Sequence, residues 1–169
     1  MTSAHSAFVP LAYSISTGSV AAITTPTFDA CSYLMVLVRI SGYSGNAIAQ
    51  LQFNGDTGTT AYAYRVSNNN AAATTGVSGA AAGIKVSQTA TTNPRALIQF
   101  WIGNVSGRAH GVQYQSSDLS ESAATAPDMV VGSAIWTNTA QITRITLDGG
   151  GQNLLTGTDI AVFGLQGLG

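Results

Sequence analysis

Charge is what this sequence has least of: Asp, Glu, Lys and Arg make up 8% of its 169 residues, against about 25% in an average globular chain. Arg39, Arg65, Lys85, Arg95, Arg108 and Arg144 stand singly, and with seven acids they leave a formal net charge of −1. No basic cluster exists to track a phosphate backbone or an anionic bilayer, so neither nucleic acid nor membrane is expected as a partner. Cys31 is the single cysteine, which excludes an intramolecular disulfide. His5 and His110 are the only histidines, too few and too scattered for a zinc site. Long hydrophobic runs are missing too. The longest, Leu34 to Val38, is far short of the roughly 20 residues a membrane helix needs. The opening MTSAHSAFVP lacks a basic segment followed by an apolar stretch, which predicts a soluble protein made in the cytoplasm.

Helix signals are equally scarce, since no long segment carries Leu, Ala, Glu and Lys at three-four spacing. What recurs instead is period-two alternation. It predicts strands over residues 11–16, 33–40, 47–53, 61–66, 83–88, 95–102, 109–115, 129–137, 141–147 and 159–165. In the run 47–53, Ala49, Leu51 and Phe53 can face a core while Ile48, Gln50 and Gln52 face water. In 95–102, Ile98, Phe100 and Ile102 form one face, and Leu97, Gln99 and Trp101 form a second that still carries a large ring. Turn-forming Gly, Asn and Asp separate the strands at 54–58, 67–70 and 148–151. Residues 68–82 have only Val77 as a bulky apolar residue and read as a loop. Residues 117–123, where Asp118 and Glu121 cluster, are the candidate for one helical turn. Some ten short strands without a linker or repeat predict an all-β fold: one two-sheet antiparallel β-sandwich, jelly-roll-like, over residues 11–169 behind an N-terminal arm of residues 1–10.

Candidate chemistry is thin. A Ser-His-Asp device would need His110, in Gly107-Arg108-Ala109-His110-Gly111, yet no nucleophile-elbow pattern accompanies it. A glycosidase needs two carboxyl groups across a cleft. Asp56, Asp148 and Asp159 border Gly or Thr at strand ends, where a carboxylate commonly binds backbone amides instead. Asn54 and Asp56 could offer oxygens to calcium, although the spacing lacks the further acids of a dedicated loop and fits a plain hairpin turn. The sequence therefore predicts no catalytic residues, no cofactor and no metal. Tyr62, Tyr64, Trp101, Tyr114 and Trp136 are the candidates for an interface or a sugar-stacking platform, the plainer reading being that they serve the core.

The run Leu51-Gln52-Phe53-Asn54-Gly55-Asp56-Thr57-Gly58, followed by Tyr62 and Tyr64, resembles an L-x-F-N-G-D-x-G…Y motif that recurs in virion proteins of tailed bacteriophages. Phe28-Asp29-Ala30-Cys31-Ser32-Tyr33-Leu34 is similar to the strand-entry segment of that group. Ile98-Gln99-Phe100-Trp101-Ile102 is similar to its I-x-I-P-N-Y strand, without the proline. Residues 139–147 and 156–165 resemble its A-I-T-S-I-T-L and closing G-S-x-I-x-L-Y-G-L strands. The resemblance spans residues 28–165. It implies a jelly-roll-like structural protein on the outer surface of the virion, synthesised in the host cytoplasm. The expected role is a capsid cement or decoration subunit, a homo-oligomer (dimer or trimer) packed on the major capsid protein. The alternative it implies is a receptor-binding, fibre or baseplate module of the tail that recognises host glycans. The arm 1–10 and the apolar tail 162–169 are the segments expected to reach a neighbour.

Overall fold

The computed structural model describes residues 8–68, 75–86, 95–119 and 128–165. Its elements are all strands: β1 (Phe8–Ile15), β2 (Ala22–Thr24), β3 (Tyr33–Ile40), β4 (Gln50–Phe53), β5 (Tyr62–Asn68), β6 (Thr75–Ala81), β7 (Ile84–Lys85), β8 (Arg95–Gly103), β9 (His110–Leu119), β10 (Asp128–Trp136), β11 (Ile145–Asp148) and β12 (Asp159–Leu165). They form two antiparallel sheets, one of eight strands in the order β1-β12-β3-β8-β9-β10-β5-β6 and one of four in the order β2-β11-β4-β7. The protein is a β-sandwich.

Alternation explains the packing. In β3, Leu34, Val36, Val38 and Ile40 turn inward and are buried, as are Ile98, Phe100 and Ile102 of β8 and Ile160 and Val162 of β12. Leu51 and Phe53 of β4 and Ile145 and Leu147 of β11 meet them from the small sheet, so both inner faces share one apolar core. Burying each such side chain contributes about 1.5–3 kcal/mol, which is what holds sheets together that share few backbone hydrogen bonds. Tyr114 of β9 crosses the sandwich: its hydroxyl donates to the Lys85 carbonyl of β7 at 2.8 Å. The ring lies against Gly132 of β10, where a Cβ atom would approach it to 2.2 Å, so only glycine fits there.

Several expectations are corrected. β1 begins at Phe8, so residues 8–10 belong to the sheet and not to an arm. Residues 75–81 of the expected loop form β6, an edge strand paired with β5. The helical turn is not seen over 117–119, which continue β9; its remainder, 120–123, lies outside the described residues. The three-residue β2 was not foreseen. Gln52 is 8% exposed rather than wet, because Gly83 lies against it and Gln50. Residues 162–165 of the expected tail lie in β12, paired with β1 on one side and β3 on the other.

The strand expected over 141–147 shortens to β11 because two asparagines take the place of a pairing strand along 141–144. The fully buried Asn104 donates from its Nδ2 to the carbonyls of Cys31 (2.9 Å) and Ile142 (3.0 Å), and its Oδ1 accepts from the Ile142 amide at 2.7 Å. Asn54 Oδ1 accepts from the amides of Thr143 (2.9 Å) and Arg144 (3.1 Å), and its Nδ2 donates to the Gln141 carbonyl. A backbone buried without a ladder must find partners elsewhere, and here side-chain amides supply them.

Candidate functional site

Two groups of sequence candidates separate in space. Trp136, Tyr62 and Phe53 form an aromatic cluster in the core, with ring centroids 5.5 Å apart for Phe53–Trp136 and 6.4 Å for Tyr62–Trp136. His110 stacks on Trp136 at 5.2 Å and is fully buried. Its Nδ1 lies 3.1 Å from the Gly103 carbonyl and its Nε2 2.9 Å from that of Ala140. Both nitrogens face backbone acceptors, so the ring ties segments together instead of facing a nucleophile. The indole of Trp136 donates to Asp56 Oδ2 at 2.9 Å, and Asp56 Oδ1 accepts from the Gly58 amide at 3.0 Å. The Tyr62 hydroxyl accepts from the Phe53 amide and donates to the Asp56 carbonyl. Burial pushes the Tyr62 and Tyr114 phenols well above their ordinary range. Burial likewise raises that of Tyr64.

The motif Phe53-Asn54-Gly55-Asp56 is thus a structural joint. Asn54 adopts a positive φ of 53°, which asparagine tolerates better than most residues, and its amide ties down 141–144. The side-chain oxygens of Asn54 and Asp56 are engaged in these bonds, Asn54 with residues 143 and 144 and Asp56 with Trp136 and Gly58. Asp148 Oδ1 accepts from the Gly150 amide, and Asp159 pairs with Arg39. Asp148 pairs with Gln50 at the start of β4, whereas Asp56 lies in the turn that follows Phe53 at its other end. Among the described residues no three His, Cys, Asp or Glu side chains gather as a metal site.

Of the five aromatic candidates, Tyr62, Tyr64, Tyr114 and Trp136 belong to the core, and Trp101, 44% exposed, is the one whose ring reaches the surface. It stands on the outward face of the eight-stranded sheet. Among the described residues every exposed large hydrophobic side chain except Val105 lies on that face. The register sets them in rows across the strands. One row runs Tyr13, Ala161, Leu37, Gln99, Gln115, Val131, Ser67 from β1 to β5. The next runs Pro10, Phe163, Met35, Trp101, Gln113, Ser133, Arg65.

Read by columns, the face has two halves. Over β1, β12 and β3 it is apolar, with Phe8, Tyr13, Ile15 and Tyr33 exposed and one ion pair, Arg39–Asp159. Over β9 it is polar: Gly111, Gln113 and Gln115 form a trough between Trp101 and Leu97 of β8 and Val131 and Ile135 of β10. Two grooves, of about 560 and 470 Å³, lie along it and share Trp101, Gln113 and Ser133. Phe8 packs edge-on against Trp101 at 5.5 Å and joins the halves. Alternation in 95–102 pointed to Trp101; nothing local in the sequence pointed to the trough. No family model matches the chain, and no curated protein matches it.

Proposed function

We propose that this domain is a non-catalytic assembly subunit that docks through the apolar half of its outward sheet face. Following its motif resemblance, we propose further that it is a cement or decoration protein of a tailed-bacteriophage capsid. The observation that carries the assembly reading is the exposure of Phe8, Tyr13, Ile15 and Tyr33 together on one half-face. Contiguous apolar surface of this kind is uncommon on a monomer and favours a protein partner. A near-neutral chain with few charged residues favours association in the same direction. Packed on a second copy and on the major capsid protein, the face would add buried contact that must be broken before a shell opens.

Two measurements test the reading. Sedimentation equilibrium of the purified chain is expected to show a dimer or trimer that dissociates in the double variant Ile15→Ser, Tyr33→Ser. A monomer at all concentrations would remove self-association. Cryo-electron microscopy of the particle carrying the chain is expected to place its density across the capsid lattice. Density confined to the tail would replace the capsid role with the tail role.

A further inference from the structure

We infer that the trough over β9 is a binding site for an anionic saccharide, one carrying a carboxylate or phosphate group. This goes beyond the assembly reading and uses different columns of the sheet.

The row Trp101, Gln113, Ser133, Arg65 crosses four adjacent strands, β8, β9, β10 and β5. At about 4.8 Å per strand it spans about 14 Å, enough for more than one sugar ring. Its members differ in chemistry in an ordered way. Trp101, 44% exposed beside the edge-on Phe8 ring, offers its uncovered indole surface to the apolar face of a pyranose. Gln113 and Ser133, with Gln115 one row away, offer amide and hydroxyl groups that can both donate to and accept from sugar hydroxyls. Arg65 closes the row with a guanidinium fork suited to a carboxylate or phosphate. Among the described residues, none of these polar side chains is hydrogen-bonded or ion-paired.

The groove of about 560 Å³ that holds the row falls within the range of ordinary ligand sites. Among the described residues that line it there is no carboxylate to repel an anion. Apolar walls with a polar floor also suit a ligand whose ring faces are apolar and whose rim is hydroxylated. Single-stranded nucleic acid fits less well: it needs repeated stacking platforms and a cationic track, and among the described residues that line the groove there is one exposed indole and one cation.

The test uses the two indole N–H resonances of the full chain in NMR titrations. The probes are tetragalacturonate, its fully methyl-esterified neutral counterpart, a phosphorylated oligomannose and oligo-dT. The Trp101 resonance is expected to shift with the acidic saccharides. That of Trp136, bonded to Asp56 in the core, is expected to stay and report that the fold is intact. Trp101→Ala should weaken binding at least tenfold, and Arg65→Gln should bring acidic and neutral saccharides to similar affinity. A shift with tetragalacturonate alone would assign the anion as a carboxylate, and with the oligomannose alone as a phosphate. No Trp101 shift with either acidic saccharide would overturn the inference. Equal binding of the neutral counterpart to the unaltered protein would overturn its anionic part, and preference for oligo-dT would transfer the site to nucleic acid. A Tyr13→Ser, Ile15→Ser variant, altered on β1 outside the residues that line either groove, should dissociate the oligomer yet bind saccharide as the unaltered protein does, so failure of the assembly reading and failure of this one are seen separately.

Discussion

The two tryptophans occupy opposite situations in the same sheet. Trp136 is fully buried, its ring flanked by Phe53, Tyr62 and His110 and its N–H held by Asp56. Trp101 stands on the other face with 44% of its surface exposed, met edge-on by Phe8 and next to Gln113 in the register. The difference teaches that position in the strand alternation, and not residue type, decides whether an aromatic ring builds the scaffold or is offered to a partner. Around Trp136 the Asp56 carboxylate, the Tyr62 hydroxyl and the His110 ring all have partners; beside Trp101, the side chains of Gln113, Ser133 and Arg65 have none among the described residues.

The contrast can be broken most forcefully at the core. Trp136→Ala removes the centre of the cluster and strands the Asp56 carboxylate, so a loss of about 3–5 kcal/mol is expected in urea denaturation. Asn104→Ala comes next. It leaves the Ile142 amide and the carbonyls of Cys31 and Ile142 without their partner, and a loss of roughly 2–3 kcal/mol is expected by the same measurement. Gly132→Ala drives a methyl group into the Tyr114 ring and should lower stability by about 1–3 kcal/mol, with the Tyr114–Lys85 bond loosened in the crystal structure of the variant.

The buried phenols supply a smaller, pH-dependent effect. Tyr62 and Tyr114 ionise at higher pH in the folded protein than in the unfolded chain. Above the ordinary tyrosine value of about 10, the unfolded state therefore binds fewer protons, and stability falls as pH rises. The expected slope is on the order of 1 kcal/mol per pH unit for each fully buried phenol, read from denaturation midpoints between about pH 9 and 12. A flat profile would mean that these hydroxyls reach solvent. The smallest effect belongs to Trp101→Ala, which should change stability by less than about 1 kcal/mol while removing saccharide binding. A large loss would make Trp101 a scaffold residue and erase the comparison.

Legibility in the sequence followed side-chain size. Residues 33–40 carry bulky apolar side chains at almost every position, residues 159–165 set Ile160 and Val162 at period two, and β3 and β12 occupy those spans. Ala22–Thr24 is too short to show a period, and Thr75–Ala81 offers only Val77 as a bulky apolar residue, so neither strand stood out in the sequence. Residues 141–144 have the right alternation but no neighbouring strand, since Asn54 and Asn104 hold them from elsewhere in the chain. The pattern in 95–102 turned Trp101 outward. What it could not show is the row it belongs to, because Arg65, Trp101, Gln113 and Ser133 become neighbours only through strand register.

The Asn54–Gly55 step also bears on how the protein ages. An asparagine followed by glycine is prone to lose ammonia when the glycine nitrogen attacks its carboxamide, leaving aspartate or isoaspartate. Here that carboxamide is clamped by Gln141, Thr143 and Arg144, so folding acts as a protecting group for a fragile bond. Peptide mapping should find isoaspartate at position 54 accumulating much faster in urea than in buffer. Once formed, its longer backbone would misplace the Asp56 turn beneath Trp136 and hinder refolding, so each unfolding event would carry a chemical memory.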